Sequence, residues 1–135
     1  MKKVILLCGY IGSGKTTYAQ THYPIFTDLD YMPPMSRKSD QIRWTHNLLK
    51  QHDEVCHITC FPTREEARAF ERFTKQFIWI DTSLNQAKTN ILIRGRERDM
   101  IDLNRVLHAN AEYTQKLSGV KPGLFEFVNV FGGGR

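Results

Sequence analysis

Eight residues near the start of the chain, Gly9-Tyr10-Ile11-Gly12-Ser13-Gly14-Lys15-Thr16, satisfy the pattern G-x-x-x-x-G-K-[ST]. Each fixed position has a chemical use. Glycines allow backbone angles that turn successive N–H groups inward, which makes an anion-binding nest. A helix beginning where the loop ends adds its positive pole. Lys15 supplies a point charge for the outer phosphates, and the Thr16 hydroxyl can ligate Mg2+. Gly9 through Thr17 is therefore expected to hold a nucleoside triphosphate, with ATP as the expected nucleotide. A glycine turn that binds nothing is the plain alternative. The complete motif, placed between an apolar strand and a helix, argues against it.

Two further groups could serve a phosphate site. Thr27-Asp28-Leu29-Asp30-Tyr31 ends a short apolar stretch, and ligands of open α/β sheets bind beyond the carboxyl ends of strands. Two carboxylates beside a phosphate site call for a cation, although Asp is also common in turns. Arg94, Arg96 and Arg98 fall within five residues around Gly95. Phosphoryl transfer needs positive charge that closes over the transferred group and excludes water. A solvated basic helix end is the bland alternative. Asp81 follows another apolar run and reads as a cap or loop residue. Tyr31, Trp44, Phe61 and Phe70 are candidates for stacking on a base or sugar, though most aromatics of an α/β domain are core. His52, Cys56, His57 and Cys60 suggest zinc, but the spacing matches no common zinc pattern, so the three cysteines read as buried thiols.

These residues need elements to hold them. Val4 to Cys8 is a continuous apolar run, as in a strand buried on both faces. Thr16 to Thr21 reads as a helix and Ile25 to Thr27 as a second strand. Pro33-Pro34 predicts an extended link, and Ser36 a cap for a helix carrying Ile42, Leu48 and Leu49. Glu54 to Phe61 is a third strand. Thr63-x-x-Glu66 is a capping box for a helix with Ala67, Phe70 and Phe73. Phe77 to Ile80 is a fourth strand, and Ser83 caps a helix with Leu84, Ala87, Ile91 and Leu92. Leu103, Val106, Leu107, Asn110, Tyr113 and Leu117 outline a last helix, stopped by Gly119 and Pro122. Phe125 to Phe131 is a fifth strand, and 132–135 a frayed tail. Strands alternating with helices predict an α/β three-layer sandwich around a five-stranded parallel sheet.

The whole chain is consistent with this. Its 135 residues suit one domain, taken as 1–131. Hydrophobic content of 41% and charged content of 24% are those of a folded globular protein, which argues against disorder. The formal charge of +5 suits an anionic ligand. No apolar run could span a bilayer and the N-terminus lacks a signal-peptide core, so no membrane partner and a cytoplasmic location are expected.

Gly9-x-Ile11-Gly12-Ser13-Gly14-Lys15-Thr16-Thr17 resembles the phosphate loop of deoxynucleoside kinases, and the opening from Met1 to Leu6 is similar in style to phage polynucleotide kinases. Arg94-Gly95-Arg96-Glu97-Arg98-Asp99, followed by Leu103, Val106-Leu107 and Glu112-Tyr113, resembles the lid and post-lid helix of deoxynucleoside kinases. Asp28-x-Asp30 is similar to the pair in shikimate and gluconate kinases, and Asp30-Tyr31 to the Asp-Tyr of polynucleotide kinases. Two departures stand out. Arg98 occupies a place where deoxynucleoside kinases carry an acid, and Thr59-Cys60-Phe61-Pro62-Thr63 replaces their acid-Arg-Ser motif, leaving no acid at the end of the third strand. The resemblance implies an adenylate-kinase-like P-loop fold, with Asp28 on the Mg2+ side and Asp30 as the base. It also implies that Arg94, Arg96 and Arg98 stabilise the transferred group, and that Gly119 to Gly123 passes beside the adenine. The expected activity is ATP-dependent phosphorylation of a nucleoside, nucleotide or polynucleotide 5′-hydroxyl. The rivals are a kinase of a non-nucleotide metabolite or antibiotic, and a nucleotide-binding regulatory protein without turnover. The acceptor is expected to be a small molecule or a nucleic-acid end; the oligomeric state is not legible.

Overall fold

The computed structural model describes residues 2–130. Strand β1 (Lys3–Cys8) is the centre of a five-stranded, wholly parallel sheet of order β2-β3-β1-β4-β5. It pairs with β3 (Glu54–Ile58) from Lys3↔Glu54 to Leu7↔Ile58, and with β4 (Thr74–Ile80) from Lys3↔Thr74 to Cys8↔Trp79. The two-residue β2 (Phe26–Thr27) lies outside β3, and β5 (Phe125–Val128) lies outside β4. Because every strand runs the same way, the segments that follow them gather along one edge.

The apolar run of β1 has no polar face because both of its faces are covered. Val4, Leu6 and Cys8 pack with Ile42, Leu49, Phe70 and Trp79 on one side of the sheet. Ile5 and Leu7 pack with Tyr18, Ala19, Ile58 and Ile78 on the other. Burial of each such aliphatic side chain contributes about 1.5–3 kcal/mol, so β1 is held from both faces.

The helices are α1 (Lys15–His22), α2 (Lys38–Leu49), α3 (Arg64–Ala69), α4 (Leu84–Arg94), α5 (Glu97–Ile101) and α6 (Leu103–Ser118). The cap at Thr63 forms as its sequence demands: its hydroxyl accepts from the Glu66 N–H, and the Glu66 carboxylate accepts from the Thr63 N–H. Ser83 accepts likewise from the Gln86 N–H. Gly95, with φ of 54°, ends α4 in the left-handed region.

Several boundaries differ from expectation. Ser36 does not cap α2: its hydroxyl donates to the Pro33 carbonyl, and the Arg37 N–H at the helix start donates to Asp40 instead. The Pro33-Pro34 segment is a turn, closed by the Ser36 N–H on the Pro33 carbonyl, with Met35 at φ 70°. Strand β3 stops at Ile58 because the chain beyond it bends into the loop toward Thr63. Helix α3 ends at Ala69, so Phe73 lies outside it. Strand β4 begins three residues earlier than its apolar core, and β5 ends at Val128. Phe131 and the expected tail at 132–135 lie outside the described residues.

Candidate active site

The Gly9–Thr16 loop joins β1 to α1 at the carboxyl edge of the sheet. Gly12 and Gly14 have φ of 86° and 97°, which a side chain would strain. At Gly12 a Cβ would also meet the Ala87 carbonyl of α4 at 2.6 Å. The loop's carbonyls are held away from the cleft by residues far along the chain. Asn90 donates to the Gly12 carbonyl at 2.8 Å, and Thr82 to the Ser13 carbonyl at 2.9 Å. Asn110 clamps Ile11 twice, accepting from its N–H at 2.8 Å and donating to its carbonyl at 3.0 Å. The N–H groups of Gly12, Gly14, Lys15 and Thr16 have no acceptor among the described residues. Unpaired N–H groups of this kind can form an anion nest. The Ser13 hydroxyl, buried in the same loop, also lacks a partner among the described residues. A buried hydroxyl left unpaired costs about 1–3 kcal/mol unless a ligand satisfies it.

Lys15 is folded back. Its ammonium donates to the carbonyls of Gly9 and Tyr10 at 2.9 and 2.8 Å, and stands 3.6 Å from the Cys60 thiol. Cys60 thus sits at the place after β3 where the sequence carries no acid. The Thr16 hydroxyl donates to Asp28 Oδ2 at 2.5 Å, and Asp28, 4% exposed, also accepts from the Asp30 N–H. Short range between Thr16 and Asp28 follows from parallel pairing, which brings the end of β2 beside the start of α1. An all-oxygen pair of hydroxyl and carboxylate suits Mg2+, which binds through one or two protein oxygens plus phosphate and water. Among the described residues no cluster of three or more His, Cys, Asp or Glu could hold a metal on its own.

Asp30 faces the arginine segment. Its Oδ2 lies 2.9 Å from Arg96 and 2.8 Å from Arg98. Burial alone would raise its pKa, but hydrogen bonds and charge from Arg98 and Arg96 outweigh that and lower it. Arg94 instead pairs with the buried Asp99 at 3.0 Å. All three arginines, both aspartates and residues Ile11 to Thr17 line one cleft of about 510 Å3. Gly9 and Tyr10 contribute only backbone. The Tyr10 ring points into the core against Trp79 at 5.3 Å, and its hydroxyl meets Thr114.

Other candidates fall elsewhere. Asp81 is an exposed loop residue whose N–H donates to Val128. Phe70 is wholly buried core, Tyr31 is 55% exposed, and Phe61 packs against Trp79 and Phe125. The segment Gly119 to Gly123 lines neither this cleft nor the one beside it.

Sequence reasoning missed Lys38, Asn90 and Asn110. Asn110 carried a signal, since it is an amide on the apolar side of α6, where a buried polar group needs partners. Lys38 carried none. It lines the cleft because its ammonium is held by Gln41, Thr59 and the fully buried Glu66, the last at 3.1 Å. Burial pushes the Glu66 carboxyl up, yet the His57 hydrogen bond at 2.7 Å and the Lys38 charge bring it down to about 2. His57, itself buried, is pushed down, so neutral His57 donates from Nε2 to Glu66 while Nδ1 accepts from Thr45.

No family model and no curated protein matches the chain. Solved structures do match its fold. A gluconokinase from Sinorhizobium meliloti 1021 aligns with a TM-score of 0.61 at 16% identity, covering 96% of this chain and 83% of that one. Deoxyadenosine kinase from M. mycoides with bound dATP aligns at 0.51 and 15% identity, covering 96% and 91%. Shikimate kinase from Bacteroides thetaiotaomicron aligns at 0.51 and 18% identity, covering 94% and 86%. The chain has the P-loop α/β fold that these kinases share.

Proposed function

We propose that the chain is a small cytoplasmic kinase that moves the γ-phosphoryl group of ATP to a hydroxyl on a nucleoside, nucleotide or polynucleotide 5′ end. One observation carries this: the anion nest, the Thr16–Asp28 pair, Asp30 and the three arginines all face a single cleft. A passive nucleotide-binding module has no need of a carboxylate and a set of arginines opposite the phosphates.

The loop N–H groups would hold the phosphates. Lys15 would exchange two neutral carbonyl acceptors for anionic oxygens, a stronger class of hydrogen bond. Thr16 and Asp28 are the residues suited to hold Mg2+, which when bound neutralises charge on the outer phosphates. Arg96 and Arg98 would leave Asp30 for the oxygens of the group in transfer. That move has a second effect. Asp30 loses the two cations that depress its pKa, so its carboxylate becomes a better base as the arginines engage the phosphates. Asp30 then takes the proton of the acceptor hydroxyl while its oxygen bonds to phosphorus and the bridge to ADP breaks. A hydroxyl acceptor fits this base better than a phosphate, which needs no deprotonation.

The test is labelled transfer from ATP–Mg2+ to a panel of nucleosides, nucleotides, 5′-hydroxyl oligonucleotides and small alcohols. No labelled product from any of them refutes the kinase reading. On a working acceptor, Asp30→Asn is expected to cut turnover by about 10²–10⁴-fold with ATP affinity kept; unchanged turnover refutes the base role. A metabolite acceptor is the second reading, supported by the gluconokinase alignment, whose TM-score exceeds that of the deoxyadenosine kinase. The small alcohols of the panel separate the two.

A further inference from the structure

Beside the phosphate cleft lies a second one of about 620 Å3. The two adjoin: Lys38, Thr59 and Cys60 line both. The second cleft adds Arg64 and Lys116, with Phe61 and Tyr113 as flat walls, and no carboxylate among the described residues lines it. Glu65 and Glu112 adjoin lining residues in sequence but do not line the cleft, and Glu66 is buried behind Lys38, already bonded to His57, Thr59 and Thr63. Arg64 and Lys116 have no carboxylate partner among the described residues.

The walls are set by packing. Tyr113 and Lys116 are one helical turn apart on α6, and the ammonium sits 5.8 Å from the Tyr113 ring centre. Tyr113 lines this cleft together with Cys60, which also lines the first, so the ring stands near the junction of the two. Phe61 is braced from behind by Trp79 and Phe125. Of the three cations lining the cleft, Lys38 already has its counter-charge in Glu66, while Arg64 and Lys116 are open to an anionic ligand. Basic and aromatic groups without an acid make a recognition surface for a molecule with a negative group and a flat body.

We infer that this second cleft is the acceptor subsite, and that the acceptor carries a phosphate or carboxylate group held by Lys38, Arg64 and Lys116. The inference rests on the kinase reading for the word acceptor, but its binding chemistry stands apart from turnover. Lys38 sits where both molecules meet, so its buried partners Glu66 and Thr59 fix a charge at the junction of donor and acceptor.

The test fills the first cleft with a non-hydrolysable ATP analogue and Mg2+, then titrates phenyl phosphate, benzoate and benzyl alcohol by calorimetry. At least one anion is expected to bind in a single site, with benzyl alcohol at least about tenfold weaker. Phenyl phosphate or benzoate, whichever binds tighter, identifies the group. The double variant Arg64→Ser, Lys116→Ser is expected to weaken the anion by about tenfold or more while the nucleotide analogue binds as before, since neither residue lines the first cleft. Both side chains are exposed, so the variant should fold, and a thermal melt verifies it. No anion binding, equal binding of benzyl alcohol, or an unchanged affinity in the double variant each overturns the subsite. Anion binding with no labelled acceptor in any panel keeps the subsite and refutes the kinase.

Discussion

The ends of β1 and β3 lie side by side at the same edge of the sheet, yet they are built from different materials. After β1 the chain makes a site from backbone: glycines at positive φ turn N–H groups toward one point, and side chains elsewhere serve only to hold the carbonyls away. After β3 the backbone contributes little, and the chemistry is a buried side-chain network running from Thr27 and Thr45 through His57 and Glu66 to Lys38. The first design tolerates an uncommitted surface that waits for an anion. The second must satisfy every member in advance, because an unpaired buried charge is far more costly than an unpaired backbone N–H. A cation lining a cleft can thus be held in place as a loop is, by a counter-charge buried behind it.

The contrast breaks most sharply at Glu66. Glu66→Ala removes the carboxylate paired with Lys38, leaving its ammonium the neutral oxygens of Gln41 and Thr59, and takes from His57 Nε2 its acceptor. A loss of roughly 3–5 kcal/mol in urea-unfolding stability is expected; a loss below 1 kcal/mol would mean that the network is not a frame.

Acid should reach the same network from another direction. Glu66 is depressed from 4.5 to about 2 in the folded chain, so its contribution is complete above pH 4.5 and is lost as pH falls toward 2. The full effect is up to roughly 3 kcal/mol. His57 adds to it with the same sign. Its folded pKa lies below the ordinary 6.5, so as pH drops under 6.5 the unfolded chain takes a proton that the buried ring refuses. Stability measured by denaturant midpoint should therefore fall steadily from pH 6.5 down. In Glu66→Gln the portion below pH 4.5 should flatten, and an unchanged slope there would assign the acid sensitivity elsewhere.

The smallest effect belongs to the loop's support. Asn110→Ala deletes two hydrogen bonds to Ile11. A stability loss of about 1–2 kcal/mol is expected, together with weaker ATP binding, because the nest would no longer be held open. Weakened stability with intact ATP affinity would show that the loop is shaped by its glycines alone.

Much of this molecule could be read without coordinates. The phosphate loop is a local motif whose glycines, lysine and threonine have duties within eight residues, so sequence order is spatial order. The apolar run of Val4 to Cys8, the capping box at Thr63 and the alternation of strand and helix were legible for the same reason. Each depends on contacts within one turn or one strand. The pairing of Asp30 with Arg96 and Arg98 joins residues 66 and 68 positions apart, and only the parallel sheet, by collecting all strand ends at one edge, brought them within 3 Å. The second cleft was further out of reach. Glu66 reads in sequence as a helix cap and His57 as a strand residue, and nothing local says that one carboxylate serves Thr63, His57 and Lys38 together. The sequence alone determined the glycine-rich loop beside β1, proposed above to hold a triphosphate. Packing of α2, α3 and α6 decided what stands opposite it, because buried charges are positioned by partners distant in the chain rather than by their neighbours.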